Sequence, residues 1–371
     1  MFLEEEPEFR SMGKGESALW SKAGALAEGA EWLTCREFDR LPGYVTAYEE
    51  DAGDCLSIAT LVSHVAIATP PVIDRIRELD AARHWVDGTS LESERVVKVP
   101  LEYVRQISGP NGRASGNRLE EAIVHATHEI FERRAHITVL RGRMIMPTID
   151  AGTIEHPVLQ EQVGFFLNTG IEVTLKDLSF GGELPCVGAY FYDPNVPDNF
   201  QFHHFFKVGS SFNREEALLR VFTEYAQGRM RDEFIRASEG DAGRILRHDF
   251  RRLQSQGHDC DNFLSAFTYG FVPYRTAAFL TEGEVVPFAP GDGYEDCLDD
   301  IAHARSICEA LGKEYVVVDL TDPDIGFPVV QVVIPGYSDV LPFHPASSRV
   351  LFRPWTRDEV LHSYTHVEPS A

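Results

Sequence analysis

SGNRLEEAIVHATHEIFERRA, from Ser115 to Ala135, opens on small polar residues and then reads as an amphipathic helix. Two other stretches share its layout: GKGESALWSKAGALAEGAEW from Gly13 and SSFNREEALLRVFTEYAQGRM from Ser210. Aligned on one another, they place Glu28, Glu129 and Glu224 at one position. Glu31, Glu132 and Gln227 follow three residues on, and Trp20, Glu121 and Glu216 stand eight residues before. At about 100° per residue, positions i, i+8 and i+11 fall in one narrow sector of a helix. Glu121, Glu129 and Glu132 therefore share a face, as do Glu216, Glu224 and Gln227.

Like charges so spaced repel, and a buried cluster of them needs cations to hold it. Hard oxygen ligands converging from several helices suit Mg²⁺ with phosphates. The ordinary alternative is three solvated acidic faces. The apolar neighbours weigh against it: Ala122, Ile123, Ala126, Ile130 and Phe131 in one segment, Ala217, Leu218, Leu219, Val221 and Phe222 in another.

The 371 residues suffice for one large core or two modest ones. Hydrophobic content of 43% and charged content of 25% are ordinary for a soluble globular protein. Lys plus Arg is 34 and Asp plus Glu is 58, a net charge of −24, which argues against nucleic acid as a partner held by bulk electrostatics. The acidic start MFLEEEPEFR has no apolar signal-peptide core, and no stretch is apolar enough to span a bilayer. A cytoplasmic location and no membrane partner are the expectation. The six cysteines, Cys35, Cys55, Cys186, Cys260, Cys297 and Cys308, form no CxxC or zinc spacing and read as scattered reduced thiols. His203 and His204 lie in a strand-like run and face opposite ways, against a joint metal site.

Helices and strands alternate without a low-complexity linker. Strands are expected at VVKVPLEYV, IEVTLKDL, CVGAYFYD, FQFHHFFKV, EYVVVDL and PVVQVVIPG. Helices are expected at the three glutamate segments, at PPVIDRIRELDAA and at YEDCLDDIAHARSICEALG. The polar region at about 231–282 reads as a helical insertion in a single domain spanning 1–371. Asn117 with Glu120, and Asn213 with Glu216, have the spacing of capping boxes. The starts GKG, SGN and GSS can present backbone N–H groups to phosphate, although GxxxxGK[ST] is absent.

These segments resemble the YcaO superfamily of ATP-dependent peptide-backbone-modifying enzymes. SGNRLEEAIVHATHEIFER is similar to that family's second nucleotide-binding helix, EALLRVFTEYAQGR to its third, and GKG followed by AEGAE to its first. DIGFPVVQVVIPGYSDVLP resembles the strand and turn that follow. The resemblance runs from about Gly13 to Pro342 and implies an α+β fold, with mixed β-sheets and three glutamate-bearing helices around an ATP/Mg²⁺ site. It implies Glu28, Glu31, Glu121, Glu129 and Glu132 as the Mg²⁺–nucleotide carboxylates. It further implies Lys14, Asn117, Glu121, Arg133, Glu224, Gln227 and Arg229 as nucleotide-site residues. The chain departs from the family at four places. Trp32 and Gly24 stand where Arg and Ser are usual. Gln331 precedes Pro335 where Arg is common. About a dozen residues, rather than several dozen, precede GKG.

The implied reaction phosphorylates the carbonyl oxygen of a peptide or protein amide after a nucleophile has added to its carbon. Azoline-forming members end in PxPxP, whereas this chain ends THVEPSA. That favours thioamidation or side-chain thiolation over cyclodehydration. PGYSDVLP most resembles members tied to methylthiolation of a small-subunit ribosomal protein. The expected partners are a peptide or protein substrate and a TfuA-like or other sulfur-delivery protein, with a homodimer among the allowed assemblies. The alternatives are an azoline-forming cyclodehydratase, a catalytically weakened scaffold that recruits peptide or sulfur carrier, and a ligase-type ATPase. The residues identify no general base. His125, four before Glu129, shares its face, and His128 reads as structural.

Overall fold

The computed structural model describes residues 11, 13–15, 17–34, 41–45, 54–57, 60–61, 85–195, 203–237 and 278–338, with side chains at 102–103, 106–107, 141–142 and 229–237 set aside. In chain order the elements begin with α1 (Ala18–Thr34), β1 (Trp85–Ser90), β2 (Val96–Pro100), α2 (Leu101–Ser108), β3 (Arg113–Ser115) and α3 (Leu119–Gly142). There follow β4 (Thr148–Asp150), α4 (Pro157–Asn168), β5 (Glu172–Asp177), β6 (Cys186–Tyr192), β7 (His204–Ser210) and α5 (Arg214–Ala237). The last are α6 (Ala278–Thr281), β8 (Val285–Pro287), α7 (Cys297–Ala310), β9 (Val316–Asp319) and β10 (Val329–Val333). No described helix is long and apolar enough to cross a membrane.

The chain divides into two compact units, residues 1–130 with 295–371, and residues 131–294. The first holds a five-stranded antiparallel sheet in the order β2-β1-β9-β10-β3. Its β10, VVQVV, is buried at all five positions, as expected of a strand covered on both faces. The narrow β3 is drawn against β10 by Gly112, whose carbonyl accepts the Val332 N–H at 2.6 Å. Gly112 has φ +78°, and a Cβ there would meet the Val332 carbonyl oxygen at 2.6 Å, so only glycine serves.

The second unit holds a sheet in the order β7-β6-β5-β4-β8, antiparallel except for the β4–β8 pair. α5 lies on it through an aromatic pack. Phe191 stacks on Tyr225 at 4.1 Å, Phe166 stacks on Phe222 at 5.4 Å, and Phe205 meets Tyr225 edge-on. Gly209 of β7 lets that helix approach, since a Cβ there would meet the Ala217 carbonyl oxygen at 2.2 Å.

The three glutamate segments form α1, α3 and α5 as expected, and strands form in each of the six expected runs. The first run needs correction, because VVKVPLEYV breaks at Pro100 into β2 and the start of α2. Pro100 has no N–H to donate, and Leu101 and Val104 follow at helical spacing into the core. Helix PPVIDRIRELDAA, residues 70–82, lies outside the described residues. So does most of the region 231–282, of which 231–237 continue α5 and 278–281 form α6.

Candidate functional site

In the first unit the GKG turn lies along α1. A Cβ on Gly13 would meet Ser21 and Ala25 backbone atoms, and one on Gly24 would be 3.4–3.7 Å from Gly13 and Lys14. Gly24 is therefore where the Lys14 backbone passes over the helix. Ser17 caps α1 by accepting the Trp20 N–H at 3.3 Å, and Ser115 donates its hydroxyl to the Ala27 carbonyl at 3.2 Å, tying α1 to the end of β3.

Glu31 then meets a partner the sequence reading missed. Arg113 of β3 donates from Nε to Glu31 Oε1 at 3.0 Å, with only 8% and 17% of the two side chains exposed. The Trp32 ring covers the guanidinium at 5.3 Å from its centroid. Burial pushes the Glu31 carboxyl above its usual range; Arg113 opposes that shift and the neighbouring Glu28 adds to it. No hydrogen bond from a described residue reaches Glu31 Oε2. The one signal in sequence was a lone arginine two residues before the SGN turn.

At the start of α3 the capping arm is Glu121, not Glu120. Glu121 accepts the Asn117 backbone N–H at 2.8 Å and both its oxygens face Asn117 Nδ2, at 3.0 and 3.2 Å. The chain enters the helix one residue later than the capping-box spacing assumed, and Leu119 is its first residue. Asn117 and Glu121 thus hold each other. Further along, Glu129 is half-buried, while Thr127 and His128 are buried, bonded to Tyr315 at 2.5 Å and Asp300 at 3.1 Å. His128 is structural, as expected. His125 Nδ1 faces the Ser115 carbonyl at 3.4 Å.

In the second unit Glu132 is buried, and His136 follows it one turn along α3. Burial first, then the Lys207 and Arg133 charges, hold the His136 imidazole well below its usual range, with Glu224 opposing. Lys207 of β7 pairs with Glu224 of α5 at 3.3 Å. Lys207 is a second cation the sequence reading missed, a lone lysine in the apolar run HHFFKVG. Gln227 is half-buried on the next turn, and the Arg229 side chain lies outside the described residues. At the head of α5, Asn213 accepts the Glu215 N–H at 3.1 Å. Glu216, exposed, takes the Ser211 hydroxyl at 3.3 Å rather than closing the expected box. Arg214 pairs with Asp177 at 3.0 Å.

His203 and His204 do not face opposite ways as the strand alternation predicts: their rings meet edge to face at 4.5 Å, and both pack on Tyr192. His203 bonds the Asp193 carbonyl at 2.9 Å, and His204 is buried against Tyr190, its Nδ1 2.5 Å from the hydroxyl. Burial raises the thiols of Cys186 and Cys308, the latter to about 12, and that of the partly exposed Cys297 too. Cys35 and Cys260 lie outside the described residues.

Among the described residues no group of three or more His, Cys, Asp or Glu is arranged to hold a metal ion. The fit of a nucleotide with Mg²⁺ therefore rests on donor chemistry. The first unit offers the hard oxygens of the half-buried Glu28, Glu31 and Glu129, with Arg113 on Glu31; the second offers those of Glu132 and Glu224, with Lys207 on Glu224. Carboxylate oxygens are the ligand chemistry that suits a hard divalent cation bound together with phosphates.

A family model described as YcaO cyclodehydratase, ATP- and Mg²⁺-binding, matches residues 12–338. An uncharacterized protein of Methanothermobacter thermautotrophicus is 27% identical over 336 residues, 87% of this chain and 80% of that one. The ribosomal protein S12 methylthiotransferase accessory factor YcaO of Escherichia coli is 23% identical over 261 residues. That match covers 68% of this chain and only 40% of the E. coli protein. Two solved structures share the fold. A heterocyclase in complex with substrate and cofactor has a TM-score of 0.62 at 20% identity, covering 88% of this chain and 44% of that one. YcaO from Methanopyrus kandleri bound with AMPPCP and Mg²⁺ has a TM-score of 0.59 at 20% identity, covering 88% and 78%.

Proposed function

The chain belongs to the YcaO family, and on that premise we propose that it is an ATP- and Mg²⁺-dependent enzyme that activates an amide of a peptide or protein for sulfur insertion. The observation that carries the reading is the family match across 12–338, which takes in all three glutamate helices. ATP supplies the phosphoryl group that accepts the carbonyl oxygen, and Mg²⁺ screens its phosphates. Glu28, Glu31, Glu129 and Glu132 are the proposed carboxylates for the cation. Glu121 joins them only if it gives up Asn117. Lys14, Asn117, Arg133, Glu224, Gln227 and Arg229 are the proposed nucleotide residues. The protein's contribution is positioning and neutralisation of charge, since phosphoryl transfer asks little covalent chemistry of it.

Sulfur is the favoured nucleophile for two reasons. A relative at 23% identity is an accessory factor of a methylthiotransferase. Cys186, Cys297 and Cys308 have thiols pushed away from the thiolate, so none of these three suits a sulfur carrier, which favours an outside donor. Hydrosulfide adds to the amide carbon, the oxygen takes the γ-phosphoryl group as ADP leaves, and loss of phosphate with a proton leaves C=S. The balance is one oxygen exchanged for one sulfur, with ATP converted to ADP and phosphate.

Cyclodehydration is the second reading, favoured by the description of the family itself. There a substrate Cys, Ser or Thr side chain is the nucleophile, and the product loses water without gaining sulfur. Incubation with ATP, Mg²⁺, sulfide and a panel of peptides, read by mass, separates the two. ATP turnover with sulfur gained supports the proposal, and water lost without sulfur supports the second reading. A fold with no ATP turnover on any peptide leaves the recruiting scaffold.

A further inference from the structure

We propose that Arg113 is the positioning residue of the first glutamate pair: it holds one oxygen of Glu31 and leaves the other facing a ligand cation. The inference rests on Glu31 serving the Mg²⁺–nucleotide site. The guanidinium is 8% exposed and donates Nε to Glu31 Oε1 at 3.0 Å. A bidentate fork would occupy both carboxylate oxygens; this contact engages one. Glu28, one turn before Glu31, adds a second negative charge that acts on it.

Three features fix where the guanidinium stands. Arg113 lies opposite Gln331 in the β3–β10 ladder, so the register of β10 sets its height. Gly112 brings β3 close, and the Trp32 ring lies over the planar group at 5.3 Å. Trp32 and Gln331 are two positions at which the resembled family usually carries arginine. Both are neutral here, and a guanidinium beside Glu31 comes instead from the strand between them. Trp32 is thereby the flat wall that keeps Arg113 on Glu31. Lysine has neither the flat face nor the fixed Nε direction, so it cannot do both tasks.

The test is calorimetric titration of the full chain with ATP across a series of Mg²⁺ concentrations, with thermal melts alongside. The variants are Arg113→Leu, Arg113→Lys and the pair Arg113→Leu with Trp32→Arg. Arg113→Leu should raise the Mg²⁺ needed for half-maximal nucleotide binding about 10- to 100-fold, the usual cost of losing a group that orients a metal ligand. Weak Mg²⁺-free ATP binding should stay as it was. Arg113→Lys should fall between, and the relocated arginine should restore Mg²⁺ dependence towards wild type. Unchanged Mg²⁺ dependence in Arg113→Leu overturns the proposal while leaving the nucleotide site intact. So does a loss that merely follows the melting temperature, with no recovery in the relocated pair. If Arg113→Leu does not fold, an Arg113→Lys variant with wild-type Mg²⁺ dependence overturns it equally. A wild-type chain that binds no nucleotide at any Mg²⁺ concentration removes the site itself and the proposal with it.

Discussion

Glu129 tests the nucleotide reading at the scale of one side chain. It is half-buried on α3 amid Ala126, Ile130 and Phe131, so its charge is kept near apolar surface with little solvation. Glu129→Gln keeps the shape and removes the charge. The expected outcome is loss of Mg²⁺-dependent nucleotide binding in calorimetry with a melting temperature at or slightly above wild type, since relief of repulsion offsets lost contacts. Unchanged affinity would remove Glu129 from the ligand set. His204 tests a different quantity. Burial first, and then His203, lower its pKa to about 4 from an ordinary 6.5. An unfolded chain therefore binds a proton that the folded one refuses between those values. Stability contributed by neutral His204 is complete above pH 6.5 and is lost as pH falls towards 4, by up to about 3 kcal/mol. Denaturant titrations at pH 7 and pH 4.5 should show a smaller loss for His204→Phe than for wild type, and equal losses would place the pH sensitivity elsewhere.

At the scale of elements, the repeat made α1, α3 and α5 legible, because helix period and apolar flanks act locally. What stayed hidden came from partners distant in sequence. Arg113 gains meaning only when β3 lies beside α1, and Lys207 only when α5 crosses β7. No spacing within a segment announces either. α2 was misread because its residues suit a strand until Pro100 withholds an N–H. α4 was not anticipated at all, although His156 caps it through Leu159 N–H and Pro157 opens it. The box at α3 was legible in kind but not in register. Glu121 replaces Glu120 because Asn117 lies one residue further from the first helical turn. Asn117→Ala should therefore cost about 1 kcal/mol in chemical denaturation through the lost Nδ2 hydrogen bonds to the Glu121 carboxylate. It should also loosen Glu121, which would keep only the backbone N–H of residue 117, so its effect on Mg²⁺–ATP affinity reads out whether that carboxylate serves the helix start alone. Lower affinity at unchanged stability would place Asn117 in the nucleotide site.

At the scale of the whole molecule, the unresolved choice is the origin of the atom that replaces oxygen. A carrier cysteine needs an accessible thiol with a low pKa. Cys186 lies fully buried, Cys308 is buried with its thiol pushed to about 12, and Cys297 is raised by burial and by the carboxylates around it. Cys55 pairs through its backbone with Lys98 and is half-buried. These placements favour free sulfide or a second protein as the donor. Replacing Cys55, Cys297, Cys35 and Cys260 by Ala, with the buried pair Cys186 and Cys308 left in place to protect the fold, should leave ATP-dependent sulfur insertion with free sulfide within about twofold of wild type. The twofold margin corresponds to about 0.4 kcal/mol of barrier. Loss of sulfur transfer with ATP turnover intact would instead show that one of the four is needed to deliver the sulfide to the activated carbon. Loss of both together with a lowered melting temperature would be a folding effect, which single replacements would then divide. Isotopically labelled sulfide closes the argument: label recovered in the product of the four-alanine variant means that the sulfur never passes through those side chains.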